Sequence, residues 1–339
     1  MAESASGPSS AAPSGAKPLG LFRRLRNFYD DYLPQGRWLN IFAAVFLVYA
    51  LVVAVVGAYW SIAPAEFDVR EQARAHLSSD TTTPVVGVTT TGALIGVVET
   101  LLEKPGGFQS NDKFPPGAYL ENIPNWEYGA LIQSRDLARA MREFFSRSQS
   151  QSKEDADLAI AEPELNFRAD SWIIPASESS YRQAMRYTKG YLPRLADPSV
   201  KNAQFCARAD NLREWLAMVN TRLGSLSQRL SASVGQQRVN TDLAGEEVAT
   251  QSTAAPSELE VRTPWHEIDD VFYESRGAAW ALIHFLKAAE IDFADVLAKK
   301  NAQISLRQII REVEATQDFV WSPMILNGTG FGFLANHSL

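Results

Sequence analysis

Hydrophobic positions along this chain fall into one unbroken run, several helical stripes, and polar stretches with neither pattern. The run is Trp38 to Trp60, WLNIFAAVFLVYALVVAVVGAYW; it holds no charged residue, and its one strongly polar side chain, Asn40, lies near the start. At 1.5 Å rise per residue, a helix of this length spans the roughly 30 Å hydrocarbon core of a bilayer. Lipid offers no water to backbone N–H and C=O groups, so such a segment must be helical. Trp38 at one end, and Tyr59 with Trp60 at the other, read as interfacial anchors. The competing reading, a core helix of a soluble protein, is disfavoured because so long an uncharged run is rare in soluble domains.

The stripes predict a mainly α ectodomain built as a helical bundle. Pro64 opens a helix through about Leu77, and Thr90-Thr91 precede the apolar helix GALIGVVETLLEK, closed by Pro105-Gly106-Gly107. Residues 105–125 are rich in Gly and Pro and predict a long structured loop or strand-like passage. Leu131, Ala138, Met141 and Phe145 share a face over roughly 125–147. Residues 165–175 read as extended. Ser177 or Ser179 caps a helix to about Leu195, interrupted near Gly190 and Pro193. Phe205, Ala209, Leu212, Leu216, Val219, Leu223, Leu226 and Leu230 alternate steps of four and three, the seam of a bundle or coiled coil. An intramolecular core is preferred over an intermolecular coil, because other amphipathic helices in the chain need a partner too. Thr263-Pro264 opens a helix with Trp265, Ile268, Phe272, Ala279, Leu282 and Leu286 on one side. Ser305 caps the next, with Leu306, Ile309, Ile310 and Val313 inward. Polar loops are expected near 146–157 and 236–260.

Charge sets the orientation. Lys17, Arg23, Arg24, Arg26 and Arg37 precede the run, and the first basic residues after it are Arg70 and Arg74. The positive-inside rule then puts the N-terminus in the cytoplasm and everything after residue 60 across the membrane. Ser61-Ile62-Ala63 is a weak cleavage site, and the length of the run favours an uncleaved signal-anchor. Residues 1–18 are Ala-, Ser-, Gly- and Pro-rich and predict a disordered cytoplasmic tail. Residues 19–37 form a basic juxtamembrane segment. Leu21, Phe22, Leu25, Phe28, Tyr29 and Tyr32 at helical spacing suggest a helix on the inner membrane face, and simple positive-inside flanking explains the arginines equally well. The domains are therefore 1–18, 19–37, the span 38–60 and the helical domain 61–339. The chain carries −7 and residues 1–40 carry +2, which leaves −9 on residues 41–339. That balance argues against broad nucleic-acid or anionic-lipid binding, while leaving room for a local basic patch. Cys206 is the single cysteine, so the domain holds itself by packing rather than by internal disulfides.

Candidate chemistry is sparse. His76, His266, His284 and His337 are scattered. Glu267, Asp270 and Glu274 share a helix face, with His266 one turn from Asp270, but acids at the start of a helix complement its dipole without any metal. Ser150 and Lys153 match S-x-x-K in a polar tract without the motifs that accompany it in penicillin-recognising enzymes. Gly328, Gly330 and Gly332 lack the lysine and the helix of a phosphate loop. Glu127, Glu143 or Glu178 could serve as a lone acid in a cell-wall-cleaving site, although single glutamates are usually solvated. No catalytic residue, cofactor or metal ligand is assigned.

The strings NDKFPPGAYLENIPNWEYGALIQSRDLARAMREFF, SWIIPASESSYRQ and ARADNLREWLAMVNTRLGSLSQRLSASVG resemble a proteobacterial inner-membrane family, domain of unknown function 2333, over most of residues 40–339. The resemblance implies a Gram-negative inner membrane and a periplasmic domain, and it supplies no activity. In that family the pattern after NGTGFGFLANHSL continues into a further helix, which implies a terminal core element beyond Leu339. The expected function is a non-catalytic scaffold or adaptor in the cell envelope, with residues 205–230 as its long axis. The alternative is an envelope enzyme acting on cell-wall material through an isolated carboxylate. Expected partners are membrane lipid and envelope proteins or a second copy, with no nucleic acid.

Overall fold

An unbroken apolar run has one local way to pair its backbone, and Arg37–Trp60 form one continuous helix, α1. Only 6% of its apolar window is buried, so it is not the core helix of a soluble domain. Among the described residues it is the one helix long and apolar enough to cross a membrane. The computed structural model describes residues 37–77, 85–147, 153–197, 199–200, 202–239, 258–318, 320 and 325. The tail 1–18, the basic segment up to residue 36 and the C-terminal residues 326–339 lie outside the described residues. The chain divides into two units, Met1–Val55 and Val56–Leu339. The described part of the first is α1 up to Val55.

The second unit begins with the last residues of α1. It continues with α2 (Val69–Ala75), α3 (Val88–Glu103), α4 (Asn122–Ala140), α5 (Leu158–Leu165), α6 (Ser177–Ala196) and α7 (Ala209–Ser231). Strands β1 (Gln236–Val239) and β2 (Glu258–Val261) follow, then α8 (Ile268–Asp292), α9 (Ala294–Lys299) and α10 (Gln303–Ala315). The unit is mainly helical, as the hydrophobic spacing predicts. Leu131, Ala138, Met141 and Phe145 are all buried on α4 and the wider π-type turn that extends it through Phe145.

The axis of the unit is the pair α4 and α8. Asn125 hydrogen-bonds Asp270 at 2.6 Å, Gly129 lies against Glu274 and Ala278, and the Phe145 and Phe293 rings stand 5.3 Å apart. The partners advance together along both helices, so α4 and α8 run parallel. Their backbones touch because both contact positions lack a Cβ. A methyl on Gly129 would meet the Glu274 carbonyl oxygen at 1.9 Å, and one on Gly277 would meet the Trp126 carbonyl oxygen at 1.8 Å. Trp126 and Trp280 pack just beyond, ring centres 5.0 Å apart. Helix α3 is buried from Val88 to Val98 on every side, which fits its nearly charge-free sequence.

Several expectations are corrected. Helix α7 buries Leu212, Trp215, Val219 and Leu226 but leaves Leu223 exposed, so the 205–230 seam packs at the periphery rather than forming the axis. Its local period is real, but α4 and α8 already fill the centre. Helix α6 runs uninterrupted through Gly190 and Pro193, because Tyr191, Leu192 and Leu195 are buried around the proline in its last turn. Residues 165–175 form no strand; Arg135 satisfies the Leu165 and Phe167 carbonyls at 2.7 and 2.6 Å instead. Trp265 is 70% exposed, because α8 proper begins only at Ile268. The polar stretch 236–260 pairs its ends as antiparallel strands, Gln236 opposite Val261 and Val239 opposite Glu258. Main-chain pairing of QQRV with ELEV leaves no hydrophobic alternation for a pattern search to find.

His284 ties the segment after α1 to the core. Its Nδ1–H donates to the Trp280 carbonyl at 2.8 Å, its Nε2 accepts the Phe67 N–H at 3.1 Å, and its ring stacks on Phe67 at 4.0 Å. Burial holds the imidazole neutral and pushes its pKa down from 6.5 to about 4. Between those values the unfolded chain binds a proton that the folded chain refuses. This stabilisation is present above pH 6.5 and is lost as pH falls through 4, a swing of up to about 3 kcal/mol. Denaturant titrations of the full chain from pH 7 to 4 check this. His284→Gln, less stable at pH 7, should show a flatter decline than the parent over that window.

Candidate functional site

The residues that the sequence singled out do not converge. Glu274 is held by Arg229 through two bonds of 2.5 and 2.6 Å, and Glu267 lies 3.6 Å from His266. Asp270 accepts from Asn125, and burial with the nearby Glu121, Asp269 and Glu267 charges pushes its pKa up to about 6. His76 sits on Glu99 at 3.2 Å, and Glu143 pairs with Arg139 one turn away. Among the described residues no group of three or more His, Cys, Asp or Glu is placed to hold a metal ion. Ser150, His337 and the glycines at 328–332 lie outside the described residues.

Glu127 is the exception, and its environment builds the first polar centre. It sits on the inner face of α4 with its carboxylate fully buried. Lys104, the residue that ends α3, places its ammonium 2.6 Å from Oε1 and also donates to the Gly107 carbonyl at 2.6 Å. The chain then turns through Gly106 and Gly107, both at positive φ, and brings the Gln109 and Ser110 N–H groups to the same carboxylate at 2.8 Å each. The Ser110 hydroxyl donates at 2.6 Å. Burial pushes the Glu127 carboxyl up, and Lys104 followed by Ser110 and Gln109 pull it back. A buried acid that already accepts from four donors has no lone pair directed at a substrate. Glu127 instead organises the loop after α3. From that loop Gln109 Nε2 reaches the Pro105 carbonyl, and Asn111 Nδ2 donates to the Ser171 carbonyl and to Glu178, both at 2.8 Å.

A second centre lies at the other end of α3. The N-cap position is Gly87, which has no side chain to offer. Asp292, from the last turn of α8, caps the helix across the fold, accepting the Thr90 N–H at 2.6 Å and the Thr90 hydroxyl at 2.7 Å. Burial still leaves its pKa raised.

Beside this cap a cavity of about 960 Å³ opens between α2, the start of α3 and the end of α8. Arg70 and Arg74 stand one turn apart on α2, with Thr89, Asp292 and Asp295 among the other polar lining and Phe205 and Phe293 among the apolar. Both arginines are exposed, and neither forms an ion pair among the described residues. The sequence marks them only as the first cations after α1. That Asp292 lines the same cavity depends on α8 arriving from far along the chain.

One apolar helix followed by a helical domain whose strongest polar centres are internal defines a class of protein rather than an activity. Within that class, the chain belongs to the family described as an uncharacterized protein conserved in bacteria, domain of unknown function 2333, which it matches over residues 34–339. Neither the curated proteins nor the solved structures contain a match.

Proposed function

We propose that the chain is a bitopic protein of the bacterial inner membrane, N-terminus cytoplasmic and bulk periplasmic, whose helical domain is a non-catalytic scaffold or adaptor in the cell envelope. Its partners are membrane lipid and envelope proteins or a second copy. The observation that carries the reading is the join after α1. Gly57 packs on Pro116 and Leu120, Trp60 on Gly106, and Phe67 on His284, so the domain begins in contact with the last turn of the helix rather than on a loose linker. A domain that packs directly on the end of the apolar helix, without a free tether, suits a scaffold. The basic residues before α1 and the acidic remainder support the orientation.

The enzyme reading keeps one observation, the Asp270 carboxyl shifted up to about 6. Burial first, and the like charges of Glu121, Asp269 and Glu267 second, explain the shift without catalysis.

Protease added to spheroplasts should remove the C-terminal domain and leave a membrane-bound N-terminal fragment. Crosslinking in intact membranes should capture the same envelope partner repeatedly, or a second copy. A freely soluble product or a protected C-terminal domain would overturn the topology, and reproducible capture of nothing would overturn the scaffold.

A further inference from the structure

Two loops of the second unit carry apolar side chains that the fold does not use. Phe114 and Tyr119 project from the passage after α3, and Trp172, Ile173 and Ile174 from the passage before α6. Ile174 is 91% exposed and has φ of 30°, a backbone state that strains a β-branched residue. Tyr119 is 76% exposed. Neither contributes core. The two loops form one surface, because the Phe114 and Trp172 rings meet at 5.6 Å and Asn111 bonds the Ser171 carbonyl beneath them.

The position of this surface decides its partner. A methyl placed on Gly57, one turn before the end of α1, would lie 3.4 Å from Pro116 and 3.5 Å from Leu120. Phe114 and Tyr119 flank those contacts within the same tight turns, where the Ala118 N–H bonds the Phe114 carbonyl at 2.9 Å and the Tyr119 N–H bonds the Pro116 carbonyl at 2.9 Å. The apolar tips are therefore continuous with the point where α1 leaves its apolar run. Their composition is that of a membrane interface, with Trp and Tyr beside aliphatic tips; Arg168 nearby is paired with Asp170, so the apolar and aromatic groups rather than free cations carry the likeness.

We infer that the 113–119 and 171–175 loops insert into the outer-leaflet interface of the same bilayer that α1 crosses, giving the domain a second lipid contact beside its anchor. This rests on the anchor reading above.

Spin labels on the full-length chain test it. In a Cys206→Ser background, single cysteines replace Phe114, Ile174, Tyr49 within α1, and Ile304 on α10, and each protein is reconstituted into phosphatidylethanolamine–phosphatidylglycerol vesicles. Power saturation compares access of oxygen with access of a water-soluble nickel chelate. Labels at 114 and 174 should favour oxygen, as at 49, whereas the label at 304 favours nickel. A nickel preference at 114 and 174 with oxygen preference at 49 would overturn the second contact and leave the anchor standing. Nickel preference at 49 as well would remove the anchor and this inference together. Shielding from both reagents at 114 and 174, with dipolar broadening, would mean that a second copy covers the patch and would overturn lipid insertion.

Discussion

Lys104→Met should cost the second unit about 3–5 kcal/mol at pH 7, the typical penalty for stranding one charge of a buried pair. The ammonium lies 2.6 Å from a carboxylate with no solvent exposure, and its removal leaves Glu127 with neutral donors only. The carboxyl then protonates to escape its charge, which sets its remaining oxygen against the Ser110 and Gln109 N–H groups that now require an acceptor. The loss should shrink as pH falls, since protonation removes the stranded charge. Equilibrium unfolding in urea at pH 5 and pH 7 measures both effects. Lys104→Met/Glu127→Gln should recover part of the loss, because a neutral amide keeps one acceptor for the loop. Glu127→Gln alone completes the cycle, and a double-variant loss equal to the sum of the two single losses would show that the pair is not coupled.

Gly277→Val should be as severe, for a steric reason. Its Cβ would sit 1.8 Å from the Trp126 carbonyl oxygen, and contacts under 3.0 Å are essentially never seen, so α4 and α8 must part by more than 1 Å. The obstacle is backbone, so no rotamer relieves it, and the Trp126–Trp280 packing opens with it. Overpacking typically costs 1–3 kcal/mol, and this site should exceed about 3 kcal/mol because it moves the axis of the unit. Gly224→Ala is the control. Nothing lies within 4 Å of a Cβ there, so it should raise stability by about 0.5–1 kcal/mol through helix propensity alone. Thermal melts of the three proteins separate close contact from a general dislike of substitution at glycine.

These two positions show why part of the molecule was legible and part was not. The helix bearing Leu131 to Phe145 announces itself through neighbours three and four residues away, and the structure buries all four predicted residues. Glu127 lies on the same helix and reads locally as one more solvated acid. Its burial follows from Lys104 and Ser110, which approach through a loop whose path no periodicity describes. The 205–230 stripe misled in the opposite direction. Its regular spacing correctly predicts α7, but regularity does not measure depth, and Leu223 remains exposed on a peripheral helix.

Helix α1, the predominance of helix and the acidic balance could all be taken from residue order, because backbone pairing in a helix closes within four residues and charge simply adds. Folding in three dimensions chose the α4–α8 axis, sent Asp292 to cap a helix that begins with glycine, and sealed Glu127 with Lys104. Those outcomes depend on which distant segments displace water from a given side chain. Burial is therefore a property of the neighbours that arrive, and no local spacing encodes it.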